Sequence, residues 1–268
     1  MQNRMELSGE WLRQVQKTEC EILKTVTRFL EENGLSYCLS SGTLLGAVRH
    51  GGFIPWDDDV DISMPRADFE RLLSMADRLP EGLTLQATRL EEAYPLMMAK
   101  VRKDGTIMRE TATASLPIHH GVWIDIFPLD RVKHENRLLR RAKIIALLTT
   151  AIYYRYGMTK PKPHTALLCR LLGLFGVRRL DAWRTRVMMA EERTDGTLYT
   201  SFASNLGCKR LLFSEEVYVP FRRMPFEDAD FFVPNQAEVW LQAAYGDFRT
   251  PPSEEKRKNV HRVQELKL

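Results

Sequence analysis

Four aspartates fall within five residues, Asp57, Asp58, Asp59 and Asp61, in the run IPWDDDVDI. That much like charge in one place repels itself unless a cation offsets it. The alternation through Val60, Asp61, Ile62 and Ser63 has the period of a strand, so Asp59 and Asp61 project to one face, close enough to share one divalent ion. Hard carboxylate oxygens favour Mg2+ or Mn2+ over zinc, and Mg2+ commonly keeps phosphate oxygens among its ligands. An acidic loop that binds nothing is the competing reading.

A further carboxylate, Asp125, interrupts the apolar run GVWIDIF. Burying it between Ile124 and Ile126 is costly unless it faces a metal or hydrogen-bond donors. A third metal ligand is its natural role, a base for an acceptor hydroxyl is another, and pairing with an arginine is the structural alternative. Upstream, Ser41, Gly42 and Thr43 lie between a predicted strand and a predicted helix, where free backbone N–H groups and the helix dipole suit a phosphate. Arg49, His50 and Trp56 flank the acidic run as candidate contacts to a nucleotide, although an arginine there also fits as a salt-bridge partner. Lys100 and Arg102 alternate on a strand-like segment and so face one side, as phosphate binding needs. His119 and His120 have no partners at metal-ligand spacing and read as ordinary loop histidines.

These residues require a mixed scaffold. Apolar positions Trp11, Val15, Ile22, Val26, Phe29 and Leu30 recur at helical spacing from Ser8 to the stop at Asn33-Gly34. Strands are predicted at Leu35–Leu39, around VDIS, and at 83–87, 97–102, 107–110 and 122–127, with helices after Ser40 and over 67–79. After Pro128 the pattern is mainly helical, with Lys160-Pro161-Lys162-Pro163 as the best linker and a polar, loosely packed tail from Thr250.

The 268 residues suffice for one large domain with an ample core. The first residues carry no signal-peptide pattern, the four cysteines are scattered, and no apolar run reaches the length of about 20 residues that spans a bilayer. The expected location is cytoplasmic. Charge is uneven: residues 131–186 hold 14 Lys/Arg against 2 Asp/Glu, a net of +12 in a chain whose total is only +4. Such a stretch is a candidate peripheral contact with the inner face of a membrane or with a polyanionic acceptor, or else a solvated face of core helices.

The stretch YCLSSGTLLGAVRHGGFIPWDDDVDISMPRADFERLL, with GVWIDIFPLD and YGDFRTPP, resembles the LicD family of phosphotransferases, which includes the fukutin-type proteins. The match covers most of Tyr37–Asp130 and returns near Tyr245–Pro252; the region between is less diagnostic. The resemblance implies an α+β fold, with a nucleotidyltransferase-like mixed sheet and flanking helices over 1–130 and a mainly helical, basic extension over 131–268. It places Gly42 and Thr43 in the nucleotide turn, Asp59 and Asp61 as the metal pair, and Asp125 as the third carboxylate. The implied reaction moves a phosphoalkyl group, such as phosphocholine from CDP-choline or ribitol phosphate from CDP-ribitol, onto a sugar hydroxyl of a surface glycan or its lipid-linked precursor, with displacement at the β-phosphorus and loss of CMP. No nucleic-acid partner is expected. Two other readings stay open: a true nucleotidyltransferase that leaves NMP on its acceptor, and a non-enzymatic basic adaptor.

Overall fold

The computed structural model describes residues 7–259 and 261–268. The reading of the first six residues as free of a leader therefore lies outside the described residues. Helix α1 spans Gly9–Glu32 and buries Val15, Ile22, Val26, Phe29 and Leu30 along one side, while Trp11, predicted on that side, is exposed. Strand β1 (Cys38–Leu39), helix α2 (Ser41–His50), strand β2 (Asp61–Pro65) and helix α3 (Arg66–Ser74) follow. Strands β3 (Leu83–Gln86), β4 (Ala99–Lys103), β5 (Ile107–Glu110) and β6 (Trp123–Val132) complete the first half.

The second half runs through helices α4 (Glu135–Arg155), α5 (Pro163–Gly173) and α6 (Val177–Met188), strands β7 (Leu198–Thr200) and β8 (Phe213–Ser214), and the short helix α7 (Glu215–Tyr218). A hairpin of β9 (Arg222–Phe226) and β10 (Ala229–Val233), helix α8 (Ala237–Tyr245) and strand β11 (Val263–Lys267) end it. The fold is α+β, with eight α-helices among the described residues. Helices outweigh strands after residue 131 as expected, but the expectation missed five strands there.

The main sheet orders its strands β1-β2-β6-β4-β3, with β7 paired to the far half of β6 and β8 to β7. The β2–β6 pair is parallel and its neighbours are antiparallel. Apolar side chains of α1, α2, β2, β4, β6 and α8 close over the sheet in one continuous core. A separate smaller cluster, Leu148, Ala151, Ile152, Cys169, Val177 and Leu180, joins α4, α5 and α6, so Lys160–Pro163 connects packed helices. The tail is not loose: β11 pairs with β5, and Val263 is wholly buried. Among the described residues no helix is long and apolar enough to cross a membrane.

Candidate active site

Register builds the centre of the site. In the parallel β2–β6 pair Asp61 stands opposite Asp125, and in the antiparallel β4–β6 pair Lys100 stands opposite the same Asp125. Residues in register share a face, so the three side chains form a row across neighbouring strands. Main-chain and hydroxyl bonds fix the row's edge, because Thr43 Oγ1 accepts the Asp61 N–H at 2.8 Å and the Val60 carbonyl accepts the Asp125 N–H at 2.7 Å.

Asp59 is not on the strand, which begins at Asp61. It comes off the preceding loop, yet reaches the same place: one carboxylate oxygen from each of Asp59, Asp61 and Asp125 lies within 4.8 Å of the others. Opposite ligands of a magnesium ion are about 4 Å apart, so these oxygens could hold one after a small rotation. The donor set is all oxygen, which fits Mg2+ or Mn2+.

Ser41 and Gly42 bring the start of α2 to this cleft, alongside Asp57, Asp59, Asp61 and Asp125. A β-carbon at Gly42 would sit 2.5 Å from Asp57 Oδ2, so any larger residue there pushes the Asp57 carboxylate out of its place. Ser41 has φ +48°, a left-handed conformation that is uncommon outside glycine and that often accompanies functional constraint. Burial, then the repulsion of neighbouring carboxylates, pushes Asp57 and Asp61 well above the ordinary carboxylate range. Burial likewise raises Asp59, partly offset by His261.

The other predicted residues divide into two groups. Lys100 Nζ is 2.9 Å from Asp125 Oδ1 and 3.6 Å from Glu110, and sits 4.0 Å over the Trp123 ring. The Oδ1 contact is an ion pair off the angle of a hydrogen bond; the hydrogen bond from Lys100 runs to Oδ2 at 3.2 Å, and Trp123 Nε1 donates to the same oxygen at 3.3 Å. Arg102 lies deeper, wholly buried, donating to Gln86 Oε1 and the Gly121 carbonyl, each at 2.7 Å. The alternation that predicted a common phosphate-facing side for Lys100 and Arg102 is a common side beneath Trp123. Arg49 makes no ion pair with the aspartates among the described residues; it donates to His50 and to the Phe248 carbonyl at 2.8 Å, tying α2 to the YGDF turn. Trp56 stands beside His50 with Arg257 over its ring, 5.3 Å away.

Sequence reasoning missed His261, which has no local pattern to mark it. Its backbone N–H reaches both oxygens of Asp58 at 3.2 and 3.3 Å, Nδ1 is 3.4 Å from Asp58 Oδ1, and Nε2 is 3.7 Å from Glu110. Burial alone would lower this imidazole, but the bond to Asp58 and the charges of Asp59 and Glu110 outweigh it and push it up to about 10. Glu110, also missed, is held below its ordinary value because Lys100, His261 and Arg102 outweigh the cost of its burial. One ligand atom each from Asp58, Asp59 and His261 also falls within 4.8 Å of the others.

Residues 34–137, the segment that supplies all of these carboxylates, match the family model described as LicD/FKTN/FKRP, nucleotidyltransferase domain. That segment is similar to the LicD family. Over 264 residues it is 27% identical to the lipopolysaccharide cholinephosphotransferase LicD of Haemophilus influenzae, an alignment covering 95% of this chain and 97% of that protein. A 44-residue stretch, 16% of this chain and 9% of the relative, is 50% identical to ribitol 5-phosphate transferase FKRP of Homo sapiens. A third similarity, 42% over 62 residues, is to an uncharacterized protein of Rickettsia typhi, covering 22% and 20% of the two chains. The alignment with the Haemophilus protein extends far beyond the LicD-family segment, whereas the other two are local.

Proposed function

We propose that this chain is a LicD-family phosphotransferase dependent on magnesium or manganese. It moves a phosphoalkyl group, phosphocholine first among the candidates, from a CDP-linked donor to a hydroxyl of a cell-surface glycan or lipid-linked precursor. The observation that carries the reading is the convergence of Asp59, Asp61 and Asp125 from a loop and two strands upon one cleft beside the start of α2. The names of two similar proteins, a cholinephosphotransferase and a ribitol 5-phosphate transferase, support the class of group transferred.

Asp59, Asp61 and Asp125 are the residues that would hold the cation, which when bound neutralises pyrophosphate charge. The open backbone N–H groups near Ser41 and Gly42 take the donor's phosphate at the helix start. Lys100 and Trp123 hold Asp125 in place through the contacts given above. The acceptor oxygen bonds to the β-phosphorus while the bond from that phosphorus to the bridging oxygen breaks. CMP leaves with the bridging oxygen, and the hydroxyl proton passes to a carboxylate of the cluster, for which Asp125 is the assigned base. For a choline head group, a quaternary ammonium held by ring faces, Tyr245 is the tyrosine that lines the cleft, whereas the Trp123 ring already has Lys100 over it.

Incubation with Mg2+ and CDP-choline, CDP-ribitol or CDP-glycerol, together with a glycan acceptor, tests the reading by chromatography of the nucleotide. CMP release that requires the acceptor is expected, and Asp61→Ala should abolish it while the far-UV circular dichroism spectrum is retained. Nucleotide recovered on the acceptor would make the chain a true nucleotidyltransferase. Undiminished turnover by Asp61→Ala would remove the metal assignment.

A further inference from the structure

We propose that α5 and the turn into α6 form a docking surface for an anionic lipid bilayer. Helix α5 buries only Cys169 of its 11 residues, so it rests on α4 by a narrow stripe. Its opposite side is apolar and exposed. Leu167, Leu168, Leu171, Leu174 and Phe175 recur at intervals of one, four, seven and eight residues from the first, which places them on one face of the helix as it continues through its C-cap. Leu174 is 81% exposed and Leu167 61%, values usual for lysine rather than leucine on a solvated helix. Trp183 of α6 extends the patch, its ring centroid 5.0 Å from that of Phe175. Contiguous exposed apolar surface of this kind marks an interaction site.

Charge identifies the occupant. Between residues 155 and 180 stand Arg155, Lys160, Lys162, Arg170, Arg178 and Arg179, with no aspartate or glutamate. Arg178 pairs with Glu92 at 3.2 Å, and among the described residues no ion pair engages the other five. A second copy of this chain docking through the same face would set one basic rim against another. An apolar face of leucine, phenylalanine and tryptophan bordered by Lys and Arg is instead the composition of a helix that lies in the plane of an anionic membrane surface. The platform is firmly seated, because Arg184 of α6 is buried and donates to the Pro95 carbonyl at 3.2 Å and to Asp181 at 2.6 Å. This surface is separate from the acidic cleft and does not depend on which donor the cleft accepts.

Co-sedimentation of the whole chain with vesicles tests the proposal, using phosphatidylcholine alone and phosphatidylcholine mixed with phosphatidylglycerol. Partition onto the anionic vesicles should exceed that onto the neutral ones by about tenfold or more and fall as salt is raised. The triple variant Leu171→Ser, Leu174→Ser and Phe175→Ser should lose most of this binding, and Lys160→Glu, Lys162→Glu and Arg170→Glu together should lose the anionic preference. All the changed residues are exposed or border exposed surface, so wild-type melting temperatures are expected in both variants. Failure of the wild type to sediment with anionic vesicles, or equal binding by the folded variants, would overturn the proposal. So would a wild-type dimer that the serine variant converts to monomer, which would assign the face to a second copy.

Discussion

Where α3, α4 and α6 pack against their neighbours, buried charges are matched. Arg66 donates to Asp130 at 2.8 Å, Arg141 donates to Glu191 at 2.8 Å, and Arg184 meets Asp181 as well as the carbonyls of Pro95 and Leu96. Below the cleft the same chain buries Glu19, Asp57, Asp58, Asp61, Glu110 and Asp125, with Asp59 beside them, against Lys100, Arg102 and a single imidazole. A buried ion pair of this kind is a joint, and removing either partner leaves an uncompensated charge. A buried excess of one sign remains unfavourable until a counter-charge arrives. The acidic excess is the arrangement the proposed cation would offset, whereas the matched arginines belong to construction.

This contrast predicts a loss of stability at the joint and a loss chiefly of turnover at the cleft. At the joint, Arg66→Met strands Asp130, a fully buried carboxyl that burial already raises and that Arg66 holds down. Loss of about 3 to 5 kcal/mol is expected, read as a fall of roughly 10 °C in a thermal melt. A variant melting like the wild type would show that the pair contributes no more than an exposed one. At the cleft, Gly42→Ala drives a methyl group against Asp57 Oδ2. Asp57 can swing aside, so stability should fall by only about 1 to 2 kcal/mol. Mg2+-dependent turnover should fall further, by about 10- to 100-fold, because the loop carrying Asp59 moves with it. Equal losses in both measurements would make Gly42 a packing residue only.

Local pattern made half of this contrast legible. Helix α1, the strands bearing Asp61 and Asp125, and the Ser-Gly-Thr start of α2 follow from periodicity and from the turn at Asn33-Gly34. The joint did not, because Arg66 and Asp130 are 64 residues apart and Arg184 finds its carbonyls 88 and 89 residues away. His261 meets Asp58 from 203 residues down the chain, and nothing in its own neighbourhood signals that. The strand after it alternates weakly and lies mostly exposed, so it reads as polar tail until its pairing with β5 is seen. The hairpin of β9 and β10 turns through Glu227, at φ +57°, in place of the glycine or asparagine that marks such turns.

The smallest expected effect is the sharpest test of the acidic excess. Glu19 is fully buried on α1, and neither of its carboxylate oxygens has a hydrogen-bond partner. Burial, reinforced by Asp59, Asp58 and Asp57, raises it well above the ordinary value of 4.5. A group raised in the folded state contributes stability below its unfolded value and loses it as pH climbs through the folded one. Glu19→Gln does not titrate, so variant and wild type should melt alike near pH 4 and diverge above it. By pH 8, in chelator, the variant should be more stable by about 1 to 2 kcal/mol, a few degrees in melting temperature. Adding Mg2+ should narrow that gap, because a cation on Asp59, Asp61 and Asp125 relieves the field that Glu19 feels. A gap unaffected by Mg2+ would place the cation elsewhere, and the absence of any pH-dependent gap would mean that Glu19 is as well matched as the arginines of the joint.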